Sequence, residues 1–309
     1  MSVNPVDTKV RRPKDKTESP ARVLGWDAAG VVVACGFDCR LFRPGDEVYG
    51  AGDITRAGSN AEFQLVDERI VGRKPGNLNF IEAAALPLTT ITAWEALFDR
   101  MGFSEEPSER NRSASLLIIG GAGGVGSIAT QIGKRLAGVG KVITTASRRE
   151  SVAWCERMGA DLSIDHSKPL KAQLLALGIE FVDAILCCAP TDQYFDQMAD
   201  IVRPQGVICS IVEATAGAPL PMNKLQSKSV SFAWEFMFTR SMFTTPDMEE
   251  QHRLLNRVAA AIESGRIETT LTRIVGPLTA ENLRFAHAEI ETGRAIGKLV
   301  LVGMGGDGR

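Results

Sequence analysis

The chain is short of the side chains that hold metals. Its 309 residues include three histidines, His166, His252 and His287, and six cysteines, Cys35, Cys39, Cys155, Cys187, Cys188 and Cys209. The cysteines follow neither a disulfide framework nor a zinc-knuckle rhythm, and several lie in apolar runs where a thiol packs as a small hydrophobe. Cys35 and Cys39 come nearest to a ligand pair, but no second pair follows them. No metal is expected, and free thiols fit a reducing, cytoplasmic setting. Charge of one sign is missing too: 35 basic residues face 37 acidic ones, for a net charge of -2. Without a basic block interleaved with aromatics, nucleic acid is not an expected partner. No uninterrupted apolar run approaches bilayer length, and no charged segment followed by an apolar one opens the chain, so neither a membrane anchor nor a secretory leader is expected. What remains, 44% hydrophobic and 23% charged, is the composition of a globular protein with room for two cores.

The stretch Ser115 to Leu136 carries the strongest pattern. An apolar run, Leu116 to Ile119, has strand length and breaks into Gly120, Gly121, Ala122, Gly123, Gly124, Val125 and Gly126 before Ile128, Ile132 and Leu136 recur at helical spacing. Gly121, Gly123 and Gly126 match G-x-G-x-x-G in a strand, turn, helix context. Such a turn frees backbone N–H groups, and the helix N-terminus adds partial positive charge, so a pyrophosphate is the ligand that fits Gly121, Gly123, Gly124, Val125 and Gly126.

Before this turn, residues 1–18 read as a polar turn at Asn4 and Pro5 and an exposed charged loop, with no core built there. From Val23 onward, short strands joined by glycine turns suggest an antiparallel barrel-like unit, with Val31 to Val33, Glu47 to Tyr49 and Ala61 to Val66 among them. Ile81 to Arg100 reads as a helix pair broken at Pro87, with Thr89 and Thr92 as polar exceptions near the break. After the turn, apolar strands alternate with helices: Lys141 to Thr145, Leu162 to Asp165, Val182 to Cys187, Val207 to Val212 and Ser229 to Trp234. The expected class is α/β, a doubly wound parallel sheet whose ligand crevice lies beyond the strand carboxyl ends, where Pro190, Thr191, Val212 and Glu213 fall. The strand ending at Thr145 is followed by Ser147, Arg148 and Arg149, with no acid before Glu150. A carboxylate there would read a ribose 2′-hydroxyl and repel a 2′-phosphate; a hydroxyl and guanidinium groups favour the phosphate, hence NADP(H) over NAD(H). Residues 235–243, rich in aromatics and methionine, read equally as core or as the wall of a cleft or subunit interface. A long helix from Thr245 to Gly265, further strands and a final helix, a returning strand at Gly297 to Leu301 and a flexible end at 304–309 complete the chain.

The ordered motifs Gly25, Trp26, Asp27 with Gly30, Val31, Val32; Phe42, Pro44, Gly45, Asp46, Glu47, Val48, Tyr49; Ser59 to Phe63; Ala85 to Leu88 with Thr92, Ala93, Trp94; and the glycine turn resemble the medium-chain dehydrogenase/reductase superfamily, in its zinc-free quinone oxidoreductase branch. The resemblance implies a GroES-like catalytic domain at 1–89, a Rossmann domain at 90–241 and a return to the catalytic domain at 242–309, with the cofactor between the two domains and a homodimer as the assembly. It implies Thr92 beside the nicotinamide, His166 beside the adenosine, Lys298 on the cofactor phosphates and Asn4 among the cofactor-binding residues. For Thr89 a capping role at the proline break is as good a reading. Zinc-dependent members carry a histidine where Trp26 stands and a cysteine near Asn4 and Pro5, and their structural zinc lobe has four close cysteines that this chain lacks, so both zinc sites are expected to be absent. Family members also usually have a further segment ahead of Asn4, which leads to the expectation of an N-terminally short catalytic domain.

Two functions follow. The first is an NADPH-dependent oxidoreductase delivering hydride to a quinone or an α,β-unsaturated carbonyl, acceptors that need no Lewis acid. Tyr49 is its candidate proton donor or orienter, with a barrel aromatic as the equal alternative. The second is an NADPH-binding sensor, structural protein or partner-binding module with little chemistry, which the scarcity of catalytic groups favours.

Overall fold

The computed structural model describes residues 1–12 and 18–303. It divides into two compact units, Met1–Ile91 with Met237–Arg309, and Thr92–Phe236.

The first unit opens on α1 (Pro5–Arg11), which starts where it does because Asn4 is extended, Pro5 takes the first helical position and Asp7 accepts the Asn4 backbone N–H at 2.7 Å. The opening residues are not the coreless turn expected: Ser2, Val3, Asn4, Asp7 and Thr8 are buried. The reason lies at the far end of the chain, where Val3 N–H donates to the Leu299 carbonyl at 3.1 Å. Strands β1 (Ala28–Val31), β2 (Glu47–Gly50) and β3 (Val71–Arg73) form an antiparallel sheet in the order β1-β2-β3. Residues 61–66 do not continue it; Phe63 and Leu65 point into water instead. Helices α2 (Phe80–Ala83) and α3 (Pro87–Trp94) flank the expected break at Pro87, and α3 runs into a π-helical turn, Glu95–Arg100.

The second unit, after α4 (Glu109–Ser113), alternates β4 (Ser115–Ile119), α5 (Gly124–Gln131), β5 (Lys141–Thr145), α6 (Arg149–Met158), β6 (Leu162–Ile164), α7 (Leu170–Ala176), β7 (Val182–Cys187), α8 (Thr191–Ile201), β8 (Val202–Ser210) and β9 (Ser231–Trp234). All six strands are parallel, in the order β6-β5-β4-β7-β8-β9. Helices cover both faces, so Leu117, Ile119, Ile185 and Cys187 are buried and the strands read as near-continuous apolar runs. Strand β8 begins at Val202, ahead of the expected start at Val207: Val202 pairs with Val182, the register then shifts, and Val207 pairs with Ala184. Gln205, at φ 60, absorbs the extra residues as a bulge.

The chain returns to the first unit through α9 (Thr239–Phe243), α10 (Glu250–Glu263), β10 (Leu271–Pro277), α11 (Ala280–Glu291) and β11 (Lys298–Val302), the two strands pairing in parallel. Helix α10 is shorter than the expected 245–265. In the aromatic stretch, Met237 and Phe238 are core, Phe238 meeting Trp26 edge to face at 6.3 Å, while Phe236 and Phe243 are exposed. The expected flexible end at 304–309 and most of the expected charged loop lie outside the described residues. Among the described residues no helix is long and apolar enough to cross a membrane.

Candidate dinucleotide site

In the parallel sheet the strand order reverses between β4 and β7, which opens a crevice at the carboxyl ends of those strands. The glycine turn lies there. A Cβ at Gly121 would stand 2.5 Å from Cβ of Thr144 on β5, and one at Gly126 would stand 2.3 Å from the Gly120 carbonyl oxygen, so the turn packs only as glycine at both. Gly123 is different. It caps α5, and the nearest atom to a Cβ there is 3.5 Å away, leaving room for a ligand rather than for protein. The first intrahelical bond of α5 runs from Ser127 N–H to the Gly123 carbonyl at 2.8 Å, so the N–H groups of Gly124, Val125 and Gly126 precede the ladder. Together with the helix dipole they suit a pyrophosphate.

The neighbouring strand ends extend this edge. Ser147 is exposed, and its Oγ lies 3.2 Å from Nε2 of His166, which follows β6. Arg148 is half-buried and caps α6; its N–H donates to Ser151 Oγ at 3.2 Å, and the Ser151 hydroxyl donates to the Arg148 carbonyl at 2.8 Å. The residues after β5 therefore bring a hydroxyl-bearing and a guanidinium-bearing residue to the N-terminus of α6. Asp165, at the end of β6, is an ionised acid on this edge: its carboxylate accepts the Ser167 hydroxyl and N–H, which hold it below the usual carboxylate range. Past β7, Pro190 opens α8, and the buried Thr191 hydroxyl meets Ser210 Oγ and donates to the Val212 carbonyl, drawing the ends of β7 and β8 together. Val212 is half-buried and Glu213 exposed.

Thr92 is buried on α3, and Thr89 donates to the Leu86 carbonyl at 3.1 Å, the capping role. Near Thr92 lies a group that sequence reasoning missed. Glu95 and Glu235 are both buried, with their carboxyls in hydrogen-bonding contact, and Arg100 Nε donates to Glu235 Oε2 at 2.8 Å. Burial and then the Glu95 charge push the Glu235 carboxyl far above its ordinary range, against the pull of Arg100. Some 140 positions separate the two acids, so no local spacing points to them; the faint signal is Glu95 itself, an acid in the apolar run Ala93 to Phe98.

Three expected site residues have other work in the first unit. Tyr49 is 1% exposed and its hydroxyl donates to the Leu255 carbonyl at 2.6 Å, while burial pushes the phenol well above its ordinary value. It is a core aromatic and not a proton donor to a reactant. Lys298 is 3% exposed; its ammonium donates to the Val3 carbonyl at 3.0 Å and to Asn4 Oδ1, and pairs with Asp27 at 3.1 Å. Those acceptors take the three donors, so Lys298 is not a phosphate ligand. Asn4 also donates to Asp27 Oδ2 at 3.1 Å and is buried with it.

Two family models match the chain: the alcohol dehydrogenase GroES-like domain over residues 1–86 and the zinc-binding dehydrogenase over residues 158–301. A zinc-type alcohol dehydrogenase-like protein of Staphylococcus aureus is 48% identical over 97% of this chain and 88% of its own. The chloroplastic NADPH-dependent alkenal/one oxidoreductase of Arabidopsis thaliana is 32% identical over 97% of this chain and 69% of its own. Among solved structures, one described as a zinc-dependent alcohol dehydrogenase of Rhizobium etli superposes with a TM-score of 0.90 at 51% identity, covering 98% of this chain and 86% of that one. A quinone oxidoreductase of Coxiella burnetii superposes with a TM-score of 0.73 at 26% identity, covering 97% and 87%. The zinc in these names does not fit the residues here. Trp26 Nε1 donates to the Asp53 carbonyl at 3.2 Å and offers no lone pair, Asp27 is paired with Lys298, and among the described residues no three His, Cys, Asp or Glu side chains gather around a common point. With a GroES-like unit, a reversing parallel sheet and a glycine turn in one chain, the protein belongs to the medium-chain dehydrogenase/reductase superfamily of oxidoreductases, in its quinone oxidoreductase-like branch.

Proposed function

We propose that this protein is a zinc-independent, NADPH-dependent oxidoreductase acting on a quinone or an α,β-unsaturated carbonyl. The observation that carries the reading is the end of β5, where Ser147 and Arg148 adjoin the N-terminus of α6 and no acid precedes Glu150. The alkenal/one activity named for the Arabidopsis relative supports it. NADPH, when bound, supplies the hydride. The chain binds and orients: the N-terminus of α5 takes the pyrophosphate, Arg148 and Ser147 take the 2′-phosphate with His166 beside them, Pro190, Val212 and Glu213 border the crevice, and Thr92 faces the nicotinamide end. Orientation of two reactants accounts for about 7–11 kcal/mol of barrier. With Tyr49 in the core, water protonates the reduced acceptor. A homodimer belongs to the same proposal; Trp234 and Phe236 leave apolar surface exposed at and after the edge strand β9.

The test is NADPH consumption across a panel of quinones and enones. Turnover with either class supports the proposal. Tight NADPH binding with no oxidation across the panel would favour a nucleotide-binding sensor or partner-binding module, the reading that the confinement of Tyr49 and Lys298 to the core also favours.

A further inference from the structure

Glu95, Arg100 and Glu235 join the first helical segment of the second unit to the end of its last strand. Glu235 directly follows β9, has no exposed side-chain surface and donates its backbone N–H to the Ser210 carbonyl at 3.0 Å. Ser210 in turn bonds Thr191, which bonds the Val212 carbonyl, so the acid sits one strand away from the crevice floor. On the other side, Glu95 and Arg100 lie on the π-helical turn that continues α3, and Glu95 comes three residues after Thr92. Two buried carboxyls face one guanidinium whose side chain is 35% exposed, which leaves one negative charge too many. One proton held between the two acids would relieve it.

We propose that Glu95, Glu235 and Arg100 are positioning residues: the proton shared by the two acids, with the Arg100 ion pair, holds the helix that bears Thr92 against the carboxyl ends of β8 and β9. This rests on the reading of that edge as the cofactor site. When the proton leaves, two carboxylates face one guanidinium and the seam is repelled from within. The charged or titratable groups acting there are Glu95 and Arg100 from the helical turn and Cys209 from β8, whose thiol burial and the Glu235 charge push up to about 12. Cys209 therefore stays neutral while the acid pair titrates.

The experiment uses the full chain with Glu235→Gln and, separately, Glu95→Gln, amides that can keep a hydrogen bond but have no proton to lose. Two quantities are followed from about pH 5 to about pH 10: the thermal unfolding midpoint without cofactor, and the NADPH dissociation constant. The wild-type midpoint should fall as pH rises through the ordinary carboxylate range towards about 9, because the folded pair keeps a proton that the unfolded chain releases, and this part of the fall should be absent from the variants. Wild-type NADPH affinity should drop about fivefold or more between about pH 7 and about pH 9.5, and that of the variants by less than about twofold. If one amide variant does not fold, the other decides. Unfolding profiles that run parallel in wild type and variants overturn the shared proton. A flattened variant profile with a wild-type NADPH affinity that ignores pH overturns the positioning role. Failure of wild type to bind NADPH at any pH overturns the proposed cofactor and with it the positioning role, while the unfolding profiles, which need no cofactor, still decide the shared proton.

Discussion

Nζ of Lys298 stands 3.1 Å from a carboxylate oxygen of Asp27, and the two side chains are 3% and 0% exposed. The pair closes the opening residues onto the last strand: Asp27 accepts from Ser2 Oγ at 2.7 Å and from Leu88 N–H at 3.1 Å, while Lys298 reaches the Val3 carbonyl. Removing one partner leaves the other charge buried and unpaired, which costs about 3–5 kcal/mol. Lys298→Met should therefore destabilise the protein by that amount in chemical denaturation. In the fraction that remains folded, the NADPH dissociation constant should be unchanged; a selective loss of NADPH affinity would return Lys298 to the phosphates.

Tyr49→Phe removes a buried hydrogen bond to Leu255 and no proton donor. Stability should fall by about 1 kcal/mol. Turnover of any acceptor should match wild type at every pH tested; a turnover number that falls tenfold would contradict the core assignment.

Asp7 gives the first unit a pH dependence of its own. One carboxyl oxygen accepts the Asn4 N–H at 2.7 Å, the other is buried with no hydrogen-bond partner, and burial pushes the group from 3.8 up to about 6. A carboxyl raised on folding keeps its proton longer in the folded chain, so its contribution is complete below the unfolded pKa and is lost as pH rises through the folded one. A shift of this size corresponds to about 3 kcal/mol. Asp7→Asn should match wild type near pH 4 and exceed it by up to that amount at about pH 7, measured by denaturation at both. Equal stability of the two proteins at neutral pH would sink the idea.

The division between what was legible and what was not follows the range of the interactions. The strand at Val182 to Cys187 and the glycine turn were readable because strand length, apolarity and G-x-G-x-x-G are local properties, and the parallel sheet followed from their alternation. The opening residues were misread because Asn4 and Asp7 look like a polar turn until Lys298 is known to reach them. Tyr49 looked available because nothing near it in sequence shows that α10 lays the Leu255 carbonyl over its hydroxyl. The acid pair at Glu95 and Glu235 is a meeting of two distant segments and has no pattern to read. The bulge at Gln205 was half legible: Pro204, Gln205 and Gly206 do break regularity, but within β8 rather than ahead of it.

The glycine turn separates packing from binding. Gly126→Ala forces a Cβ against the Gly120 carbonyl oxygen at 2.3 Å and should cost about 1–3 kcal/mol or more of stability. Gly123→Ala meets nothing closer than 3.5 Å and should stay within about 1 kcal/mol of wild type. Its Cβ occupies the space where the pyrophosphate would lie, so NADPH and NADH should both bind about tenfold or more weakly. Unfolding curves and a titration of each nucleotide check the pair; a Gly123→Ala protein that binds both at wild-type strength would move the pyrophosphate away from this turn.

Cofactor choice tests the end of β5 most directly. A 2′-phosphate carries close to two negative charges at neutral pH, and Arg148 offers a planar fork beside the Ser147 hydroxyl at the N-terminus of α6. Lys134 is not an additional cation there, because its ammonium is paired with Asp161 at 2.6 Å. A charge-assisted hydrogen bond is worth about 1.5–3 kcal/mol, so Arg148→Ala should weaken NADPH about ten- to a hundredfold and leave NADH nearly untouched. Four titrations decide it, each nucleotide against wild type and variant. Equal loss of both nucleotides would make Arg148 a cap of α6 and no reader of the phosphate, and a wild type without preference for NADPH would remove the phosphate from this strand end altogether.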